Sequence, residues 1–470
     1  MTRFATLLAI IALIGFGMFS SILLITYPPP WPDEALFAEP AMNLLRHGHL
    51  GTTLMEGYLP KIATKTYWMP PLYFLYLTIP FSLFGPTLIV MRLASVGVAL
   101  VLMGLVWHLG RRLTLRHGGW IALALLATTP LFLRGALVGR MDLLALTLML
   151  AAVVLTLRRQ QSPWSNFFAG TCSGLAVMAH PFGIVAPLTL GLIGLFRALR
   201  FRCEHQFQYF LYGGLLVLLG YALYVFPHFD AFLAQMGGQF ARKAARVPLQ
   251  NVNNGLATIK HGFDIARWSN IAFFSLGSLG LIVGAFRSPA WRILLAMQCT
   301  SLLLYLWSQE MWYPVYLLPV AALGWGAWVE RLPRLGFLAT VILMGIHIHQ
   351  LGERSCQALD TPSALAYAAW SERISEALPP QSRVVVASIP DPTLHLLRRD
   401  DLTVRHFSPV PVDAAQYAGE LRKADYIVLG RKRIAPEVER FADRHGEIVA
   451  LIGDEAPGAP LVRIYRMARR

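Results

Sequence analysis

Trp31-Pro32-Asp33-Glu34 sets two adjacent carboxylates just after a long apolar N-terminal run. A carboxylate held at a membrane surface can take a proton from an acceptor hydroxyl, or orient it, once the two come within hydrogen-bond reach. Asp33 equally suits the N-cap of the helix that should follow, and the motif alone leaves base and cap both open. A second carboxylate arrives with Arg140-Met141-Asp142 at the end of another apolar segment. Ionisable groups at membrane depth are costly and usually kept for function, although Arg140 and Asp142 would also satisfy each other as a structural ion pair.

Between these motifs stand Lys65, Tyr67 and Trp68, followed by Pro70-Pro71-Leu72-Tyr73-Phe74. Lys65 and Tyr67 have the chemistry to hold the phosphate or ring of a lipid-linked sugar, while aromatics also populate interface belts by default. His180, in Ala179-His180-Pro181, reads as a substrate contact or as a buried hydrogen-bonding group. Arg242, Lys243 and Arg246, with Lys260 and Arg267 beyond, call for an anion such as lipid phosphate, or form a helix face lying on anionic headgroups. Tyr313, beside Glu310 and Trp312, is a further substrate-contact candidate or a belt residue. Arg92 reads as a snorkelling or structural residue near the inner end of the second span. Cys172, Cys203, Cys299 and Cys356 show neither a disulfide framework nor metal spacing, so no cofactor is implied and a divalent metal has no support in the pattern.

The elements that must carry these residues follow from composition. The 470 residues are 56% hydrophobic and 14% charged, more apolar surface than a soluble domain can bury. The net charge of +15 is therefore read loop by loop as a mark of membrane sidedness, not as a nucleic-acid footprint. A crossing needs ~20 apolar residues, and about eleven segments approach that length, centred near residues 15, 98, 127, 150, 173, 190, 218, 278, 299, 321 and 342. The first, Phe4 to Tyr27, lacks a small-residue cleavage pattern and is expected to be retained. Arg111, Arg112 and Arg116, then Arg158 and Arg159, Arg197, Arg200 and Arg202, Arg287 and Arg292, and Arg331 and Arg334 fall in alternate connections. The positive-inside rule then puts the N-terminus inside and the C-terminus outside. Two large outer loops result, 28–86 and 227–267. Ala35 to Arg46 is expected to lie along the interface, and Pro71 to Gly85 to form an interfacial helix on the outer surface. Residues 1–350 make the membrane domain. Residues 351–470 turn polar and mix a helical stretch from Ser363 to Leu378 with β-branched runs at Arg383 to Ile389, Tyr426 to Leu429 and Leu461 to Tyr465, an expected small extracytoplasmic α/β domain.

Taken together these motifs resemble the GT-C superfamily of membrane glycosyltransferases, in the branch holding the protein O-mannosyltransferases and the lipid A aminoarabinose transferases. The resemblance covers roughly residues 5 to 350 and rests on WPDEALFAEPAMNLL, PPLYFLYLTIPFSLFG, MRLAS and the Arg-x-Asp of Arg140 to Asp142. It implies a polytopic α-helical protein of the bacterial inner membrane that takes sugar from a polyprenyl-phosphate donor, without a nucleotide sugar, and passes it to an envelope acceptor. It also implies Asp33 as base and Asp142 as a second site carboxylate, in an inverting displacement with Glu34 and Asp142 placing the substrates and cations meeting the departing phosphate. Trp68-Met69 stand where the aminoarabinose branch has a Glu-Lys pair, and His180 where many relatives have lysine before proline. A polytopic transporter or flippase is the rival reading, but it would set its ionisable sites near the bilayer midplane in related halves.

Overall fold

A computed structural model of the chain describes residues 2–113, 115–157, 162–201, 204–244, 253, 257, 267–308, 310–360, 367–407, 414–430, 435–453 and 461–468. The apolar run opens as α1 (Thr2–Leu23), ended ahead of the three prolines 28–30. Helix α2 (Pro32–His47) starts with proline at its first position, where no amide hydrogen is needed, and closes at Gly48 in the left-handed region with φ 73°. After the first loop come α3 (Leu72–Phe84) and α4 (Leu88–Arg112), the latter capped by the Thr87 hydroxyl, which accepts from the Val90 N–H at 3.2 Å. Helices α5 (Gly118–Thr128) and α6 (Pro130–Ala136) meet at a 68° bend, where Pro130 has no N–H to continue the ladder. Then follow α7 (Asp142–Thr156), α8 (Pro163–Ala179), a 3-10 turn at Pro181–Ile184, α9 (Val185–Phe201), α10 (Glu204–Val225) and α11 (Phe229–Ala244). Four more long helices cover Arg267–Ala285, Pro289–Ser308, Leu318–Arg331 and Pro333–Asp360.

This is a polytopic helical membrane protein. Among the described residues seven helices are long and apolar enough to cross a bilayer, or eight if the bent α5–α6 pair is one span. All the segment centres read from hydropathy fall on helices, but those at 150, 173 and 321 lie on helices of 15, 17 and 14 residues. Those are short of the ~20 residues that a perpendicular crossing needs. Helices pack through small residues: a Cβ on Gly280 would sit 1.9 Å from the Gly324 carbonyl oxygen, so the two backbones touch only because both positions are glycine.

The C-terminal segment folds as a five-stranded sheet of order β2-β1-β3-β5-β4. Its strands are β1 (Arg383–Ala387), β2 (Thr403–His406), β3 (Tyr426–Gly430), β4 (Gly446–Gly453) and β5 (Leu461–Met467). The β2-β1-β3 pairs are parallel and the β3-β5-β4 pairs antiparallel. Alternation divides the sheet: Val385, Ala387 and Ile427 face the helices Ala414–Arg422 and Pro436–His445, whereas Val384, Val386 and Val428 join a core with Leu36, Met55, Trp68 and Phe74 of the membrane domain.

That shared core corrects one expectation. Helix α2 does not lie amphipathically on the bilayer: every residue from Glu34 to Asn43 is buried, because the sheet and the loop between α2 and α3 roof it. Glu39 on α2 accepts the Thr53 N–H at 3.0 Å, the Leu54 N–H at 3.2 Å and both threonine hydroxyls of 52–53, stitching helix to loop. The expected boundary at residue 350 falls inside the helix Pro333–Asp360. The expected cap Ser363 lies outside the described residues, and the helix there covers Tyr367–Glu376.

Candidate active site

Three acids stand at one end of the bundle, and their surroundings separate them. Glu34 is buried and wholly committed. Its Oε1 accepts from Arg92 Nε at 2.8 Å and from the Gly139 N–H at 2.8 Å; its Oε2 accepts from Arg92 Nη2 at 2.7 Å and from the Trp31 N–H at 2.9 Å. Arg92, with no exposed surface, gives its other nitrogen to the carbonyls of Leu24 at 2.8 Å and Pro28 at 2.9 Å. A bidentate fork, reinforced by carbonyls on the arginine and amides on the carboxylate, is how a buried charge pair holds together. The sequence reading that gives Glu34 a share in placing substrate is therefore corrected: it caps α2 and anchors α4. Arg92 is held in this fork one turn from the start of α4, at the end of the helix nearest Asp33. A Cβ at Gly139 would lie 2.6 Å from the Met91 side chain, which would have to shift to admit it.

Asp33, one residue earlier, points elsewhere. It is the second residue of α2, not its N-cap, which is Trp31. Its carboxylate pairs with Arg140 Nη1 and keeps 29% of its side chain exposed, against 6% for Asp142 and 2% for Glu34. The other edge of Arg140 donates from Nε to Asp142 Oδ2 at 2.9 Å, so one guanidinium joins both aspartates. His180 Nδ1 accepts from the Phe182 N–H at 3.0 Å, which leaves Nε2 to carry the ring hydrogen in the neutral form. Nε2 faces Tyr313 Oη at 3.3 Å and Asp142 Oδ1 at 3.9 Å. The cluster Asp33, Arg140, Asp142, His180 and Tyr313 thus gathers residues from α2, the α6–α7 connection, the head of α7, the turn after α8 and the turn before Leu318–Arg331.

One member escapes the sequence reading. Arg134, buried near the end of α6, holds its guanidinium carbon 4.2 Å from the centroid of the Trp312 ring, and Arg140 lies over the same indole at 5.0 Å. Trp312 in turn meets Trp31 edge to face at 5.7 Å, next to the first acid. The missed signal was an arginine inside PLFLRGALVGR, an apolar stretch in which a charge has no solubility role. Among the described residues no group of three or more His, Cys, Asp or Glu is placed to hold a metal ion.

Residues 69–225, about a third of the chain, match the family model described as dolichyl-phosphate-mannose-protein mannosyltransferase. No curated protein sequence matches the chain. Among solved structures, ArnT from Cupriavidus metallidurans bound to undecaprenyl phosphate superposes over 98% of both chains with a TM-score of 0.63 at 14% identity. The same protein in its apo state gives 0.60 at 15% identity, again over 98% of both chains. The archaeal oligosaccharyltransferase AglB from Archaeoglobus fulgidus, in complex with an inhibitory peptide and a dolichol-phosphate, gives 0.55 at 13% identity over 99% of this chain and 74% of that one. The fold is that of the GT-C membrane glycosyltransferases.

Within this GT-C fold not every candidate reaches the acids. Tyr67 is fully buried, its ring tilted on Tyr224 at 5.2 Å and edge-on to Phe232 at 6.3 Å, so the expected ring-holding role gives way to packing against α10 and α11. Lys65 stands over the Tyr224 ring at 5.5 Å, and the described contacts bring neither residue to Asp33. Gln235 on α11 knits that region: its Oε1 accepts the N–H groups of Tyr67 at 2.6 Å and Trp68 at 3.1 Å, and its Nε2 donates to the carbonyls of Pro60 and Lys65. Arg242 and Lys243 belong to the last turn of α11, with their side chains outside the described residues; Arg246 and Lys260 lie outside them altogether, as does the side chain of Arg267.

Proposed function

We propose that this chain moves a sugar from a polyprenyl-phosphate donor to an acceptor hydroxyl at the outer face of a bacterial inner membrane, with inversion at the anomeric carbon. Asp33 takes the acceptor proton as the acceptor oxygen bonds to C1 and the bond from C1 to phosphate oxygen breaks. The leaving electron pair stays on the lipid phosphate, beside Arg134 and Arg140. The observation that carries this reading is the asymmetry of the three acids. Asp33 alone keeps an open face, while Asp142 holds the far edge of its arginine and Glu34 is sealed. Proximity and preorganised charge are the means, since both substrates and both guanidiniums meet where water is scarce. Asp142 and His180 act as positioning residues that fix the rotamer of Arg140. Tyr313, hydrogen-bonded to His180, closes the same wall.

Removing a positioned general base costs ~10²- to 10⁴-fold. Asp33→Asn is therefore expected to lower transfer by about that factor while the purified protein keeps its copurified lipid-linked sugar, detected by mass spectrometry. Full transfer by this variant would reject Asp33 as base. Arg134→Gln is expected to weaken donor binding, raising the donor KM more than it lowers kcat.

A further inference from the structure

Helix α4 runs 25 residues from the acid cluster at Leu88 to Arg112, roughly 37 Å at 1.5 Å per residue, which is about the width of a bilayer. At its far end lies a cup of about 510 Å³ lined by Thr2, Trp107, Arg111, Leu115, Arg116, Gly119 and Trp120. It is built from the start of α1, the end of α4 and the start of α5, which approach closely where a Cβ on Gly110 would meet Gly119 Cα at 2.4 Å. Trp107 and Trp120 pack with ring centroids 5.1 Å apart, and Arg111 lies over Trp107 at 5.1 Å. The indole N–H of Trp107 is buried without a hydrogen-bond acceptor.

The lining is one-sided. Arg111 and Arg116 supply guanidinium donors, and among the described lining residues there is no carboxylate. Glu330, the acid near this end, is occupied in capping α5: its Oε1 accepts from the N–H groups of His117 and Gly118. The Thr2 hydroxyl is engaged with His117 Nδ1 at 3.1 Å. Two guanidiniums with no lining carboxylate among the described residues, beside two indoles of the kind an interface belt carries, suit a phosphate ester whose acyl chains continue along the helices.

We propose that this cup binds the headgroup of an anionic phospholipid in the leaflet opposite the acid cluster, a site separate from the transfer reaction. Guanidiniums near a membrane surface each contribute about 1 kcal/mol toward anionic lipid, so two of them give a preference of roughly thirtyfold.

The test is native mass spectrometry of the full-length protein, delipidated in detergent and titrated with phosphatidylglycerol or phosphatidylcholine. One phosphatidylglycerol is expected to bind at least about tenfold more tightly than phosphatidylcholine. That preference is expected to vanish in Arg111→Gln/Arg116→Gln. Arg287→Gln/Arg292→Gln, a pair between two other spans on the same basic side, is the control expected to retain it. Equal loss in the control would show a diffuse basic surface and overturn the site. Displacement of the lipid by millimolar inorganic phosphate would overturn the commitment to a lipid. Glycosyl transfer by the arginine double variant, assayed with saturating donor, is expected to match the unaltered protein.

Discussion

Asp33 and Glu34 are neighbours in the chain and opposites in surroundings. Successive helical residues are rotated by 100°, so α2 sends one carboxylate toward Arg140 and the next toward Arg92. Glu34→Gln is expected to destabilise the protein by about 3–5 kcal/mol, the cost of stranding a buried charge, read as a lowered unfolding midpoint in detergent. Asp33→Asn is expected to leave that midpoint unchanged. The pair of measurements separates anchor from base. The type of residue and its end of the bundle were legible in the sequence; the division of labour was not, because Glu34 finds its partner 58 residues away and no local spacing shows it. Arg140 pairs with both aspartates, so the ion pair read from Arg140-Met141-Asp142 extends to Asp33. Arg134 escaped because it sits within an apolar run whose hydropathy hides a single charge.

At the scale of elements, periodicity located helices well and misjudged their surroundings. The segment from Ala35 to Arg46 carries enough polar residues to read as interfacial, yet Glu39 spends its charge on the loop amides of Thr53 and Leu54, and the α/β sheet covers the rest. Strands β1, β3 and β5 are legible as β-branched runs, β1 and β3 buried on both faces and β5 partly exposed at Arg463 and Arg466. Strand β2 is four residues long with Arg405 and His406 among them, and β4 is an edge strand with mostly exposed side chains, so neither carries that signature. The loop between α2 and α3 is tied to α11, which only the folded chain brings near. Gln235→Ala removes the acceptor for two buried amides, each costing ~1–3 kcal/mol when left unpaired. Hydrogen exchange at Tyr67 and Trp68 is expected to quicken in that variant while the β1 amides keep their rates. Unchanged exchange at 67–68 would mean that the loop is held by ring packing alone.

At the scale of the whole molecule, the sheet is locked to the membrane domain beside the acids. The Asp391 N–H donates to the Pro30 carbonyl at 2.9 Å, the His406 N–H to Leu54 at 2.9 Å, and Arg405 pairs with Glu56. All three contacts flank the chain that carries Asp33, so the C-terminal domain and the acid cluster share one side of the membrane. In a cysteine-free background, Arg398→Cys is expected to react with an impermeant maleimide from outside intact cells and Arg334→Cys only after lysis; the reverse pattern would invert the proposed orientation. The buried fork of Glu34 and Arg92 then bears on how the chain is made. A positive charge flanking a span tends to hold that flank in the cytoplasm, yet Arg92 must be exported if α4 threads inward. Glu34 lies 58 residues before Arg92, so the carboxylate is synthesised ahead of the arginine it pairs with. In Glu34→Gln that arginine would enter without its counter-charge, and a mixed orientation of α4, read by the same cysteine labelling, is the expected outcome.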